Sequence, residues 1–143
     1  MTKIQKYIFD YCKKHSKTLT ATRLLVFNTM STYNKPKSAY KIKSDIEKNG
    51  KKYNISTVYR VIDFLVEIGV VHKLPTLNKY FLCKRPHDKH THILNFCVKC
   101  EKVYETCNVE MGISWPIINS GQYKMRVNTN SAIEIPVLCS SCS

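Results

Sequence analysis

The sequence predicts an α+β fold in two modules, a basic helical one followed by a small α/β one. Three observations carry this reading. Apolar residues recur at helical spacing up to about residue 68, and alternate at strand spacing afterwards. Charge divides in the same place: residues 1–85 hold 18 Lys/Arg against 5 Asp/Glu and residues 86–143 hold 5 against 5, so the whole net charge of +13 lies in the first part. Four cysteines form two Cys-x-x-Cys pairs, Cys97–Cys100 and Cys139–Cys142, both in the second part.

In chain order, Ile4, Tyr7, Ile8, Tyr11 and Cys12 form the inward stripe of a first helix through Lys14, with Cys12 a core residue. Thr20 caps a second helix with Leu24, Phe27 and Met30 on one face, and Asn34-Lys35-Pro36-Lys37 breaks it. Ser38 caps a third, carrying Ala39, Ile42 and Ile46 and ended by Asn49-Gly50. Ser56 caps a fourth, with Val58, Val61, Ile62, Leu65 and Ile68 inward and a stop at Gly69. Val70–Leu74 and Lys79–Cys83 then alternate as strands around the turn Pro75-Thr76-Leu77-Asn78. Helices followed by a β-hairpin is the order of a winged helix-turn-helix, whose last helix enters the DNA major groove. Ser56, Thr57, Tyr59, Arg60 and Asp63 lie off the apolar stripe of that helix. Arg60 suits a bidentate contact to guanine, and Tyr59 a thymine methyl or a phosphate. Any amphipathic helix has a polar face, so the charge distribution is what gives this one weight.

In the second module His87, His90 and His92 precede a strand through Phe96. Lys102–Glu105 reads as a strand, and Asn108 as the cap of a helix starting near Val109 and interrupted by Pro116. Tyr123–Val127 and Ile133–Val137 read as further strands. A unit of roughly fifty-five residues is marginal alone and is expected to need a metal and a partner subunit. The paired cysteines offer four thiolates at the spacing of a tetrahedral structural zinc site. A redox pair would open a helix in a βαβ unit. Disulfides fit poorly with Met1–Lys6, which has no long apolar core behind it and points to a reducing cytoplasm. His72, Cys83, His90, His92 and Glu105, with His87 and Asp88 as weaker candidates, surround the junction of the modules as ligands for a second ion. Any one of them alone would be an ordinary surface histidine or buried cysteine; the grouping carries the argument.

A basic module joined to a neutral, metal-clipped one points to polyanion binding. No apolar run approaches the ~18–20 residues of a membrane span. An enzyme is disfavoured, because a catalytic zinc needs an open coordination position and four ligands at the second group leave none evident.

On these residues the chain resembles the ferric uptake regulator family. Thr57-Val58-Tyr59-Arg60, followed by Phe64-Leu65 and Glu67-Ile68-Gly69, is similar to its recognition-helix motif. Thr20-Ala21-Thr22-Arg23 resembles its Thr-Pro-Gln-Arg entry to the second helix, with Pro and Gln replaced. Ser38-Ala39-Tyr40 resembles the start of its third helix, and the His-rich run before Cys97 with the closing Cys139–Cys142 completes the likeness. Within the family the likeness is greatest to the zinc-sensing branch, through Val71-His72-Lys73, Tyr80-Phe81-Leu82-Cys83, His90-Thr91 and Val103-Tyr104-Glu105-Thr106-Cys107.

The resemblance implies a structural zinc on Cys97, Cys100, Cys139 and Cys142 and a regulatory zinc on His72, Cys83, His90 and Glu105, about two Zn2+ per chain. The stretch from Cys83 to Cys97 is one residue shorter than in those relatives, so His92 rivals His90, and His87 is a further alternate. The thiolate of Cys83 favours zinc over ferrous iron on ligand softness. Tyr40, Tyr59 and Arg60 match positions that meet DNA, Thr57 lies in the same motif, and Lys17 and Arg23 flank the entry to the second helix. Thr18 stands where the family usually has a basic residue. The implied division is a winged-helix DNA-binding domain over 1–84, a connecting segment over 85–91 and an α/β dimerisation and metal-binding domain over 92–143. The implied function is a cytoplasmic, zinc-responsive repressor of zinc-uptake genes that binds double-stranded operator DNA as a homodimer, with no small organic substrate and no membrane partner. A family member sensing iron, manganese or peroxide is the nearest alternative. A zinc-ribbon nucleic-acid-binding protein with purely structural metal is the alternative of another class.

Overall fold

Four helices, α1 (Lys3–Lys14), α2 (Ala21–Met30), α3 (Ala39–Ile46) and α4 (Ile55–Glu67), each begin on a polar side chain that accepts a first-turn N–H. Thr20 accepts from Arg23 and Ser38 from Lys41, as expected. The cap of α4 is Asn54, not Ser56: the Ser56 N–H is itself the donor to Asn54 Oδ1, so Ser56 lies inside the first turn. Thr2 and Gln5 close a capping box on α1 that the apolar periodicity did not reveal.

The computed structural model describes residues 1–86, 91–112, 118–120, 123–125 and 132–143, the two triplets by backbone alone. The chain divides into two units, Met1–His87 and Asp88–Ser143. In the first, Ile8 and Cys12 of α1, Val26, Phe27 and Met30 of α2, Ile42 and Ile46 of α3, and Val58, Ile62 and Leu65 of α4 meet in one core. Leu24, expected inward, is half-buried, and Val26 fills the core in its place. After α4, Gly69 adopts φ +78°, a left-handed conformation that favours glycine at a helix exit. β1 (Val71–Leu74) and β2 (Lys79–Leu82) then pair antiparallel, Val71 opposite Leu82. Lys37 and Tyr80 exchange backbone hydrogen bonds, pinning the α2–α3 loop to this hairpin. A single bridge leaves no periodic trace in sequence.

Asp45 ties down the end of α3. It accepts from the Tyr33 hydroxyl and from the ammonium groups of Lys41 and Lys48, each ammonium at 3.0 Å. The Tyr33 hydrogen bond, helped by the two lysines, holds this carboxyl well below the usual carboxylate range. A depressed carboxyl contributes stability that is fully present above its unfolded pKa, declines below it and is gone only once pH has fallen through the folded pKa. Asp45→Asn is therefore expected to destabilise the chain by about 2 kcal/mol at pH 7 and by only somewhat less at pH 3, where the folded carboxyl is still ionised, as chemical denaturation at the two pH values will report.

In the second unit β3 (His92–Cys97) is the central strand, antiparallel to β4 (Val103–Cys107) and parallel to β7 (Ile133–Val137). Ile93, Leu94, Phe96 and Val103 are buried. β5 (Ile118–Ser120) and β6 (Tyr123–Met125) form a hairpin. The strand expected over Tyr123–Val127 is β6, its last two residues lying outside the described ones; β5 was not foreseen. The helix expected from Asn108 does not form over 108–112. One turn closes, Met111 N–H to Cys107 O at 3.1 Å, and Gly112 ends it at φ +67°. The Asn108 side chain accepts instead from Thr91 N–H at 3.1 Å. Residues 113–117 lie outside the described ones. Among the described residues no helix is long and apolar enough to cross a membrane.

Candidate metal centres and nucleic-acid interface

β3 and β7 run parallel with Cys97 opposite Val137, so both strands leave the sheet at the same edge. The Cys-x-x-Cys segments that follow turn over one spot. In the first, Glu101 N–H reaches Cys97 O at 2.8 Å and Cys97 N–H reaches Lys102 O at 2.9 Å, with Glu101 at φ +61°. In the second, the N–H groups of Cys142 and Ser143 both reach Cys139 O, at 3.0 and 2.9 Å. The four sulfurs lie within 4.8 Å of one another, Cys100 Sγ and Cys139 Sγ at 3.8 Å. A tetrahedral zinc with bonds of about 2.3 Å to sulfur sets sulfur–sulfur edges of about 3.8 Å, whereas a disulfide needs about 2.05 Å. All four are free thiols. N–H groups of Cys100, Cys139 and Lys99 aimed at its sulfur pull the Cys97 thiol down to about 6. Its hydrogen bond with Cys139, then burial, push Cys142 up to about 12. Four thiolates this close repel one another, and a divalent cation among them would remove that conflict.

The other candidate ligands form two pairs. In the first unit His72 lies on β1 and Cys83 just past β2. His72 pairs with Phe81, which makes Cys83 its diagonal neighbour on the same face. Both are buried, at 7% and 0% exposure, with ligand atoms within 4.8 Å of each other. Arg85 N–H donates to Cys83 Sγ at 3.4 Å. In the second unit His92 pairs with Cys107 and Leu94 with Glu105, so His92 and Glu105 are diagonal neighbours. Their Nδ1 and Oε1 atoms are 2.8 Å apart and the side chains only 8% and 1% exposed. His90 and His87 lie outside the described residues. Cys12 and Cys107 are buried core residues outside these groups.

Removing the imidazole takes a partner from a buried carboxylate. His92→Ala is expected to lower the stability of the metal-free chain by about 1–3 kcal/mol, as thermal denaturation without metal will report.

On the exposed side of the first unit, α4 presents Ser56, Arg60 and Asp63, with Thr57 and Tyr59 half-buried. Tyr40 of α3 is 65% exposed and meets Tyr59 edge-on, ring centroids 6.4 Å apart. A groove of about 780 Å³ separates the start of α2 from α4, lined by Lys17, Thr20, Arg23, Thr57 and Arg60 among others. Two of its cations have internal partners: Lys17 meets Glu67 at 3.0 Å, and Arg23 stacks 3.7 Å from the Phe64 ring while donating to Thr18 O. Phe64 as a platform for Arg23 was not anticipated. It entered the sequence reading only as part of the family motif, and it is buried.

A sequence model of the Ferric uptake regulator family matches residues 14–128. Relatives described as zinc uptake regulation protein, from Escherichia coli (strain K12) and Shigella flexneri, are each 33% identical over 134 residues, covering 92% of this chain and 76% of the relative. A solved structure of a zinc uptake regulator complexed with zinc and DNA is 29% identical, with a TM-score of 0.75, and the match covers 99% of this chain and 96% of that one. A crystal structure of holo XcZur shares the fold at a TM-score of 0.69 and 23% identity, over 96% of this chain and 94% of that one.

Proposed function

We propose, on the premise that this chain belongs to the ferric uptake regulator family, that it is a zinc-responsive transcriptional repressor of zinc-uptake genes. The observation that carries this is the donor chemistry of the buried pairs. His72 with Cys83 supplies nitrogen and sulfur, and His92 with Glu105 supplies nitrogen and oxygen. Together they make a four-donor set suited to zinc, with a soft thiolate that ferrous iron does not favour. We take His92 as the histidine of this set, on its contact with Glu105.

The two pairs belong to different units, so one ion held by all four would link the DNA-binding module to the rest of the chain. Zinc supplies strong, directional bonds there. The residues supply the selectivity, burial and preset orientation. The four sulfurs of Cys97, Cys100, Cys139 and Cys142 would hold a second zinc, which would brace the sheet. Residues 85–91 form the connecting segment, and the α/β unit pairs two copies, so that two α4 helices meet a near-palindromic operator. Arg60 and Thr57 read base edges, Tyr40 and Tyr59 contact the duplex beside them, and the basic first unit neutralises phosphates. Lys17 and Arg23 border the same groove and act on the backbone. Nothing in this account asks for catalysis.

A shift from 1% to 99% binding-competent dimers needs about 5.5 kcal/mol of differential zinc affinity, within reach of several zinc–ligand bonds. The test selects duplexes from randomised DNA with zinc-loaded protein, then measures their affinity in zinc buffer and in a mild chelator that spares the four-cysteine site. Tight binding is expected only with zinc. Equal affinity in both would overturn the reading, and a response to ferrous iron, manganese or peroxide in place of zinc would move the chain to another branch of the family.

A further inference from the structure

We propose that Tyr7 of α1 is the positioning residue through which the His72–Cys83 pair acts on the recognition helix, an inference that rests on the zinc-responsive reading above. Both ligands are mounted on the exit of α4 with little slack. His72 stands on β1, whose first residue, Val71, follows α4 by only a short turn. Cys83 N–H donates to Val70 O at 2.8 Å, and Val70 N–H donates back into α4, to Leu65 O, at 2.9 Å. Between them Gly69 holds its left-handed φ of +78°, and a Cβ there would stand 3.4 Å from Pro86 O. A pull on either ligand therefore reaches the last turn of α4.

Tyr7 secures that turn from outside. Its hydroxyl donates to Ile68 O at 3.0 Å, across 61 residues of chain. The ring packs against the core of the first unit. At 1.5 Å per residue α4 is about 20 Å long, so a tilt of about 5° at the exit moves its start by nearly 2 Å. That is enough to break a hydrogen bond from Thr57 or Arg60 to a base edge. With Tyr7 anchoring the exit, ordering of His72 and Cys83 sets that tilt. Without the anchor the turn yields and the start of α4 does not register it.

The experiment uses the full chain and its Tyr7→Phe variant, which keeps the ring and removes the donor. Operator-duplex affinity is measured in zinc buffer and in mild chelator, and zinc affinity by competition with a chromophoric chelator. The zinc-induced gain in DNA affinity is expected to fall about fivefold or more, with zinc stoichiometry, zinc affinity and metal-free DNA binding unchanged. A purely structural role would weaken DNA binding equally in both buffers. That result, or an unchanged gain, overturns the proposal. Amide exchange supplies the second measurement: zinc should protect Val70 and Cys83 in both proteins but the last turn of α4 in the wild type only, and protection of that turn in the variant also overturns it. If the wild-type chain itself shows no zinc-induced gain, the functional reading fails; if only the variant behaves unexpectedly, the role of Tyr7 fails alone.

Discussion

A Cys139→Ser chain will lose its tightly held zinc and, with it, the fold of its second unit. The size of the effect follows from comparing two magnitudes. Structural zinc sites show apparent binding free energies of about 10–16 kcal/mol, and a whole domain keeps a net stability of about 5–15 kcal/mol. Cys139 is buried at the edge where β3 and β7 end, and its Sγ lies 3.8 Å from that of Cys100. Serine there removes one sulfur and leaves three crowded thiols without a complete tetrahedron. Elemental analysis should show one zinc fewer, circular dichroism should show loss of strand signal, and the first unit should keep its helices. A variant that retains its strand signal and both zincs would show that the four sulfurs are not a structural site.

Cys83→Ser is expected to do something different in kind. It removes the one soft ligand of the proposed sensor, and a hydroxyl is a poor replacement. Loss of a residue that merely supports a ligand costs 10–100-fold in metal affinity, and loss of the ligand itself should cost more. The easily chelated zinc should vanish, the tight one should remain, and the zinc-induced gain in operator affinity should collapse while salt-sensitive, zinc-independent DNA binding persists. The two substitutions together separate the roles, because the first damages architecture and the second only response. A Cys83→Ser protein with a full zinc response would remove Cys83 from the sensor and return the iron-, manganese- or peroxide-sensing readings to first place.

Much of this was legible in sequence for physical reasons that differ by region. The helices of the first unit announce themselves because each buries one apolar stripe, and the caps of α2 and α3 were legible beside it; Ile8, Phe27, Ile42 and Leu65 are all core, as their spacing implied. The four-cysteine site was legible because two Cys-x-x-Cys pairs have few other uses in such a chain. The parallel arrangement of β3 and β7 that brings them together was not, since strand direction leaves no mark in a five-residue alternation. The histidine at the second site shows where resemblance and geometry differ in power. Residue matching favoured His90, with His92 as rival, on the count of residues after Cys83. The β3–β4 register puts His92 diagonal to Glu105, while His90 lies outside the described residues. Treating the Cys97–Cys100 knuckle as the turn of that hairpin would have exposed this pairing from sequence. The Asn108 helix was misread because asparagine caps helices and closes strand ladders equally well, and only its contact with Thr91 decides between them.

The parallel pairing of β3 with β7 also governs how the second unit is made. β4 joins β3 through a local hairpin, but Val137 must find Cys97 across 40 residues of chain, 137 minus 97. Closing so long a loop carries an entropic cost before any contact rewards it, and sheets built on distant pairings assemble slowly. The slow step in refolding should therefore be the arrival of β7. An ion already seated on the Cys97–Cys100 pair would offer Cys139 and Cys142 a place to land, so zinc acts as a catalyst of assembly as well as a brace for the finished sheet. Refolding followed by intrinsic fluorescence should show a slow phase that shortens when zinc is present from the start and is unchanged when zinc is added only after that phase has passed.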